Sequence, residues 1–253
     1  MNNEFKTKIV GEVICGYRVI DKIWQGATST VYKGIKLNNS YNSVIAIKIL
    51  HSYRNSKQYL KQFIKEYKIQ KSLNHPNIVK VFGFGKQENL YCIFMEYIEG
   101  KTLRLTYDEN LIQEKNLFQI IIQIGKGISY IHSKNIIHND IKPENIIVEK
   151  SCRWAKLTDF GYAVKKSFFR RNISIQGGTE NYIAPERKKG ISNFKTDIYS
   201  YGMIIEELLF EKLPSEELYD IVAKTTDKVP SQRDENVDDI VNQLEKIYKR
   251  IYK

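Results

Sequence analysis

The chain of 253 residues has little of what holds secreted or membrane-spanning proteins together. Its three cysteines, Cys15, Cys92 and Cys152, are scattered and odd in number, with no metal-like spacing. That excludes a disulfide framework and a cysteine-rich zinc site, and it fits a reducing compartment. No apolar run approaches the ~18–20 residues that cross a bilayer. The opening segment, MNNEFKTKIVGEVICGY, lacks the apolar core and small-residue cleavage site of a secretory leader. Internal repeats and low-complexity linkers are absent. The expectation is a cytoplasmic globular chain without a transmembrane segment, with delivery into another cell left open.

Acidic charge is also short. Forty Lys and Arg face twenty-nine Asp and Glu, a net charge of +11. Between positions 162 and 195 stand eight basic residues (Lys165, Lys166, Arg170, Arg171, Arg187, Lys188, Lys189, Lys195) against Glu180 and Glu186. Such a stretch reads either as a solvated lysine-rich surface or as a patch attracting acidic peptide, phosphate or nucleic acid; charge runs favour the first.

What is present is a change of pattern near Glu96–Gly100. Before it, YRVIDKIW, STVYKGIK, SVIAIKIL, IVKVFGFG and LYCIFMEYI are β-branched and aromatic runs that predict strands. One helix interrupts them: Leu60, Phe63, Ile64, Tyr67 and Lys71 recur at 3–4 spacing until NHPN stops the pattern. After Gly100 the period is helical. Leu117, Ile120, Ile121, Ile124, Ile128 and Ile131 predict a helix of about four turns. A second is predicted from Asp197 to Phe210, and a third follows Val237, Ile240, Val241, Leu244, Ile247 and Ile251. A strand-rich lobe followed by a helix-rich one suggests a small-ligand site where they join.

Polar residues interrupt these elements at telling places. Lys48 ends IAIK in an otherwise apolar strand, where a charge is costly unless paired. Glu66, eighteen residues on and mid-helix, is a candidate partner. IIHNDIKPENIIV, residues 136–148, places His138, Asp140, Lys142 and Asn145 between two apolar runs, and Asp159 opens DFG. GTENYIAPE follows at 178–186.

This order resembles the eukaryotic-like protein kinase family. IAIK resembles V-A-I-K, HNDIKPEN resembles H-R-D-L-K-x-x-N, and DFG and APE match outright. HPNIVKV, FMEYIEG and TDIYSYGMIIEELL add weaker matches, so that the resemblance spans about residues 17–250. It implies an α+β, two-lobed kinase-like fold. Residues 1–97 would form a nucleotide-binding lobe of antiparallel sheet plus one helix, and residues 98–253 a mainly helical lobe with the catalytic loop and activation segment. It implies transfer of the γ-phosphoryl group of ATP to Ser or Thr hydroxyls of proteins, autophosphorylation included, with Mg²⁺ (or Mn²⁺) as the metal. Protein substrates are implied, acidic ones if the basic stretch is a patch. No nucleic-acid partner and no oligomeric state are implied.

The resemblance also implies roles. Lys48, oriented by Glu66, would hold the α- and β-phosphates; Asp159 and Asn145 would supply metal ligands. Asp140 would take or orient the proton of the attacking hydroxyl, and Lys142 would neutralise the γ-phosphoryl group. The backbone of Glu96 and Ile98 would meet the adenine edge, between Val31, Ala46, Met95 and Ile147. Asp197 and His138 would brace the catalytic loop, and Glu186 would pair with Arg233.

Three departures qualify it. The glycine-rich loop falls on WQGATSTV, where Gly26 alone survives and Trp24 and Ser29 replace the outer glycines. Ser29 becomes a candidate for regulatory phosphate; the alternative is a hydroxyl merely replacing glycine. Asn139 stands where the family usually has Arg, which suggests that the activation-segment switch is absent, with Ser167, Ser174 and Thr179 as the candidate residues there. Only about ten residues, FEKLPSEELY, separate the late helix from the next. Two other readings stay open: a small-molecule kinase of aminoglycoside or choline type, and a catalytically silent scaffold.

Overall fold

The structure, a computed structural model, describes residues 9–37, 43–51, 56–166, 180–234 and 236–253. The chain divides into two compact units. The first takes Met1–Ser72 and Lys80–Tyr97, the second Leu73–Val79 and Ile98–Lys253.

The first unit is an antiparallel sheet of β1 (Val13–Ile14), β2 (Tyr17–Gln25), β3 (Ser29–Lys36), β4 (Val44–Leu50), β5 (Val81–Gln87) and β6 (Leu90–Glu96), in the order β1-β2-β3-β4-β6-β5. The strand period of two decides what each face carries. Ile45, Ile47 and Ile49 of β4 pack with Ile14, Val19, Cys92 and Phe94 into one apolar cluster. Ala46 and Lys48, their alternates, therefore belong to the opposite face. Val31 lies opposite Lys48 and Met95 opposite Ala46 in the ladders, so these four share that face. Helix α1 (Lys57–Lys71) packs its apolar stripe on β5: the rings of Phe63 and Tyr67 lie 6.2 and 5.4 Å from that of Phe84.

IVKVFGFG is not one strand. Ile78 bridges to Leu157, the Val79 N–H donates to the Leu157 carbonyl at 3.0 Å, and the Leu157 N–H donates to the Asn77 carbonyl at 2.9 Å. The Asn77 amide adds bonds to Gln123 and to the Ala155 carbonyl, and His75 stacks on Tyr130. These contacts draw Leu73–Val79 into the second unit.

The second unit is built around α3 (Glu114–Ser133), whose Leu117, Ile120, Ile121, Ile124, Ile128 and Ile131 are fully buried. It runs longer than the expected four turns. Short strands missed in the sequence surround the polar loop: β7 (Gly100–Thr102), β9 (Ile146–Glu149) and β10 (Ala155–Leu157) form one sheet, and β8 (Ile136–Ile137) pairs with β11 (Val164–Lys165). Helix α2 (Leu103–Asp108), with Thr102 as its N-cap, was also missed. The late helix α5 (Phe194–Ile205) starts ahead of Asp197, because the Asn193 side chain caps it by accepting from the Lys195 N–H. It continues as a π-turn over Glu206–Phe210. FEKLPSEELY is not all linker: Ser215 caps α6 (Glu216–Thr225), with Glu216 and Glu217 favourable in its first turn. The last helix, α7 (Val237–Tyr252), buries Val237, Ile240, Val241, Leu244 and Ile247, but Ile251 is 41% exposed. Tyr248 and Tyr252 pack their edges on Phe118 instead.

Cys92 is buried, and desolvation with Cys15 nearby pushes its thiol up to about 12. Cys15 and Cys152 are half-exposed. The basic stretch is broken up: Arg187 is buried, and Lys195 Nζ donates to the Arg233 and Asp234 carbonyls at 2.8 and 2.7 Å. Lys165, Lys188 and Lys189 are exposed, and Arg170 and Arg171 lie outside the described residues. No helix among the described residues is long and apolar enough to cross a membrane.

Candidate active site

In the first unit a charge sits where the strand pattern leaves no water for it. Lys48 is 6% exposed and Glu66 5%. Phe63, Glu66 and Gln70 form the buried side of α1, so the helix that docks by its aromatic residues also brings a carboxylate inward. Lys48 Nζ and Glu66 Oε1 are 2.5 Å apart. Two charges buried this closely are tolerated only as a pair, and removing one partner costs about 3–5 kcal/mol.

Around the pair, Ala46 and Met95 are buried and Val31 is half-buried. The expectation for Glu96 narrows: its N–H already donates to the Lys80 carbonyl at 2.9 Å, which restricts any adenine contact by its backbone to the carbonyl. The lid turn between β2 and β3 is held by the Gly26 N–H donating to the Ser29 carbonyl. The Trp24 ring folds over Gly26 so closely that a Cβ there would lie 2.0 Å from Trp24 Cη2. Any Cβ here would have to displace the neighbouring indole, which is 48% exposed. Ser29 is 2% exposed, so its hydroxyl faces protein rather than solvent in this conformation. Thr30 is buried too, with Oγ1 2.8 Å from His51 Nε2.

In the second unit the polar loop between β8 and β9 gathers its residues. The Asn145 Nδ2 donates to the Asp140 carbonyl and to Asp140 Oδ2, each at 2.8 Å, and Lys142 Nζ lies 3.1 Å from the same Oδ2. The spacing works because Pro143–Asn145 is a single 3₁₀ turn, with the Asn145 N–H on the Lys142 carbonyl at 3.0 Å. Asp140 is 7% exposed and ion-paired, an acceptor set among donors. Both donated hydrogens come from Asn145 Nδ2, which leaves its amide oxygen as a hard ligand.

Below the loop, Asp197 is fully buried and accepts from three donors. These are the His138 N–H at 2.8 Å on Oδ2, the Asn139 N–H at 2.8 Å on Oδ1, and His132 Nε2 at 2.9 Å. His138 is fully buried as well. The Asp140 N–H donates to its Nδ1 at 3.3 Å, so Nε2 carries the hydrogen and faces the Thr158 carbonyl at 3.2 Å. Burial lowers the His138 pKa and keeps the ring neutral. Its ring meets Phe160 edge-on at 4.6 Å. The preceding Asp159 has φ +60°, and the Gly161 N–H donates to its Oδ1 at 3.2 Å.

Glu186 receives Arg233 through two bonds, 2.6 and 2.9 Å, and Arg233 is 2% exposed. Ile98 is buried, and Ile147 is half-buried on β9 opposite Lys156 and Thr102. Ser167, Ser174 and Thr179 lie outside the described residues. Among the described residues no group of three or more His, Cys, Asp or Glu is gathered for a metal. Sequence reasoning missed His132, Ser192 and Arg104. Arg104 joins Glu144 of the loop at 3.3 Å and Glu207 at 2.8 Å, and it bonds the Tyr182 hydroxyl, which itself donates to Glu207. No local motif marks these residues, because each works through a partner tens of residues away.

Residues 17–252 match the family described as protein kinase domain. The chain is similar to the serine/threonine-protein kinase PrkC of Bacillus subtilis, 34% identical, with 81% of this chain and 32% of that protein covered. It is similar to the serine/threonine-protein kinase pkn2 of Myxococcus xanthus, 30% identical over 78% of this chain and 25% of that protein. It is 32% identical to the Aurora kinase of Saccharomyces cerevisiae, covering 88% of this chain and 62% of that protein. The chain thus spans about a third or less of the length of the two bacterial relatives.

Proposed function

Because the chain belongs to the protein kinase domain family, we propose that it transfers the γ-phosphoryl group of ATP to serine or threonine hydroxyls of proteins, itself included. One observation carries the reading most directly: the Asp140 carboxylate is held by Lys142 and Asn145, and its loop is backed by the His138 and Asn139 N–H bonds to Asp197. A carboxylate so fixed can take a hydroxyl proton without reorganising, which is how positioning lowers this barrier.

In the proposed reaction the acceptor oxygen forms the new bond to phosphorus as its proton passes to Asp140. The bond to the β-phosphate oxygen breaks and ADP leaves. Lys142 offsets the charge on the group in transit. Lys48, kept extended by Glu66, binds the α- and β-phosphates as a point charge. Val31, Ala46, Met95 and the Glu96 carbonyl are proposed adenine contacts in the first unit, Ile98 and Ile147 in the second. The donor set suits Mg²⁺: one carboxylate, Asp159, and one amide oxygen, Asn145, are what that ion takes when phosphates and water complete its shell. When bound, it would neutralise phosphate charge. We propose protein substrates without a strong preference for acidic peptides, since Arg187 and Lys195 are withdrawn from the basic stretch.

The test is phosphate transfer by purified protein with ATP and Mg²⁺, wild type against Asp140→Asn. Label on serine or threonine of itself or a generic protein, lost in the variant, is expected. Equal labelling by both would refute the assignment of Asp140. Label on an aminoglycoside or choline alone would replace the substrate class, and no transfer at all would favour the scaffold.

A further inference from the structure

Asn139 has three bonded partners, although it stands where the resemblance expects arginine. It is 6% exposed and takes the left-handed conformation, φ +66°, which Asn tolerates better than most residues. Its N–H is on Asp197. Its side chain works in both senses: Nδ2 donates to the Tyr162 carbonyl at 3.1 Å, and Oδ1 accepts from Ser192 Oγ at 2.5 Å. Ser192 is fully buried ahead of α5. Tyr162 follows directly on Asp159, Phe160 and Gly161.

We propose that Ser192 and Asn139 are positioning residues, a neutral clamp that registers the chain leaving Asp159 against the loop carrying Asp140. The inference rests on the roles given above to those two aspartates. Serine orients the amide by donating to its oxygen; the amide then presents its hydrogen to the Tyr162 carbonyl. Only a side chain that both donates and accepts completes the relay. Aspartate accepts only and arginine donates only. Beyond the clamp the same segment is held by the β8–β11 pairing and by the Lys166 N–H on the Asn135 carbonyl at 2.7 Å. The clamp therefore acts on the stretch between Phe160 and Val164. Arg187, buried and within electrostatic range of Asp140, Asp197 and Tyr162, already supplies a cation to this neighbourhood. An arginine at 139 could not accept from Ser192, so installing the family's residue would break the relay and cost activity.

The test compares wild type with Asn139→Asp (same size, no side-chain hydrogen), Ser192→Ala, the double variant and Asn139→Arg. Amide hydrogen exchange over 160–164 is measured alongside kcat and the KM for ATP. Expected in both single variants are exchange over 160–164 faster by about tenfold with α3 amides unchanged, and kcat lower by about tenfold with KM within about twofold. The double variant should be no worse than the weaker single, because the two bonds act in series. Asn139→Arg should lose kcat rather than gain it. Unchanged exchange over 160–164, single effects that multiply, or higher kcat in Asn139→Arg would each overturn the clamp. If Ser192→Ala destabilises the whole protein, raising α3 exchange in parallel, Asn139→Asp alone decides. A wild type that transfers no phosphate would sink the kinase reading and leave the exchange result to judge the clamp.

Discussion

Two buried charges, one in each unit, are held in opposite ways. In the first, Lys48 and Glu66 meet at 2.5 Å as an ion pair between a strand and a helix. In the second, Asp197 is buried completely and shares its charge among two backbone N–H groups and His132. An ion pair fixes a point charge in place and fails when either member goes. A hub with several donors fixes the path of a loop and spreads the loss of any one bond. The first arrangement suits a residue that must present a charge, the second a loop that must present a geometry.

The sharpest way to separate geometry from chemistry is Asp140→Asn. It keeps the shape of the loop and removes the proton acceptor. Turnover should fall by about 10²–10⁴-fold with little change in melting temperature. A comparable fall in melting temperature would mean that Asp140 holds the loop rather than serves it.

The pair in the first unit should break the other way, in stability as well as activity. Lys48→Met and Glu66→Leu should each cost about 3–5 kcal/mol, while the double variant regains most of that and stays inactive. Urea melts with a kinase assay decide. Singles and double equally unstable would show that the two charges are not coupled.

The hub's neighbour gives a pH signature. Burial holds the His138 pKa below its ordinary value of about 6.5. The unfolded chain therefore takes up the proton first. The stability from neutral His138 is complete above about pH 6.5 and is lost as pH falls below it, by at most about 1.4 kcal/mol per unit. His75, also lowered by burial, adds to the slope of the whole protein. The readout is thus the difference between wild type and His138→Gln, which should flatten the curve between pH 6.5 and 5. Parallel curves would mean that His138 is not titrating on unfolding.

The smallest effect is expected at the lid. Gly26→Ala should weaken nucleotide binding, because its Cβ would meet the Trp24 ring, and Trp24→Gly should relieve most of that defect in the double variant. Titration of ATP against both variants checks it, and an undiminished defect in the double variant would put the constraint on the backbone.

Legibility in the sequence followed the range of the forces. Strands β2, β3 and β4 were readable as β-branched and aromatic runs, and helices α1, α3 and α7 because a single face is apolar and the period is local. Lys48, Asp140, Lys142 and Asn145 were readable as misfits, polar residues interrupting apolar runs, and Glu66 only as a candidate partner for Lys48. The two- and three-residue strands β1, β7, β8, β10 and β11 were too short to show a period. β1 and β10 are placed by local hairpin pairing with β2 and β9, and β7, β8 and β11 by pairing with segments far along the chain. Ser29 stood out as a hydroxyl in place of a lid glycine, but its burial at the start of β3 depends on packing that the motif does not show. Ser192 and His132 carry no local mark; only Asn139 and Asp197 give them meaning.

The excursion of Leu73–Val79 bears on modularity. The backbone leaves the first unit after Ser72, joins the second for seven residues, and returns at Lys80. A cut at the boundary near Tyr97 would therefore strip the second unit of the edge that answers the Leu157 amide and carbonyl. Neither unit is a contiguous cassette. Recombination or fragment expression that treats residue 97 as a seam would produce a second half with a missing stave, and the two halves are expected to persist, and to be inherited, as one.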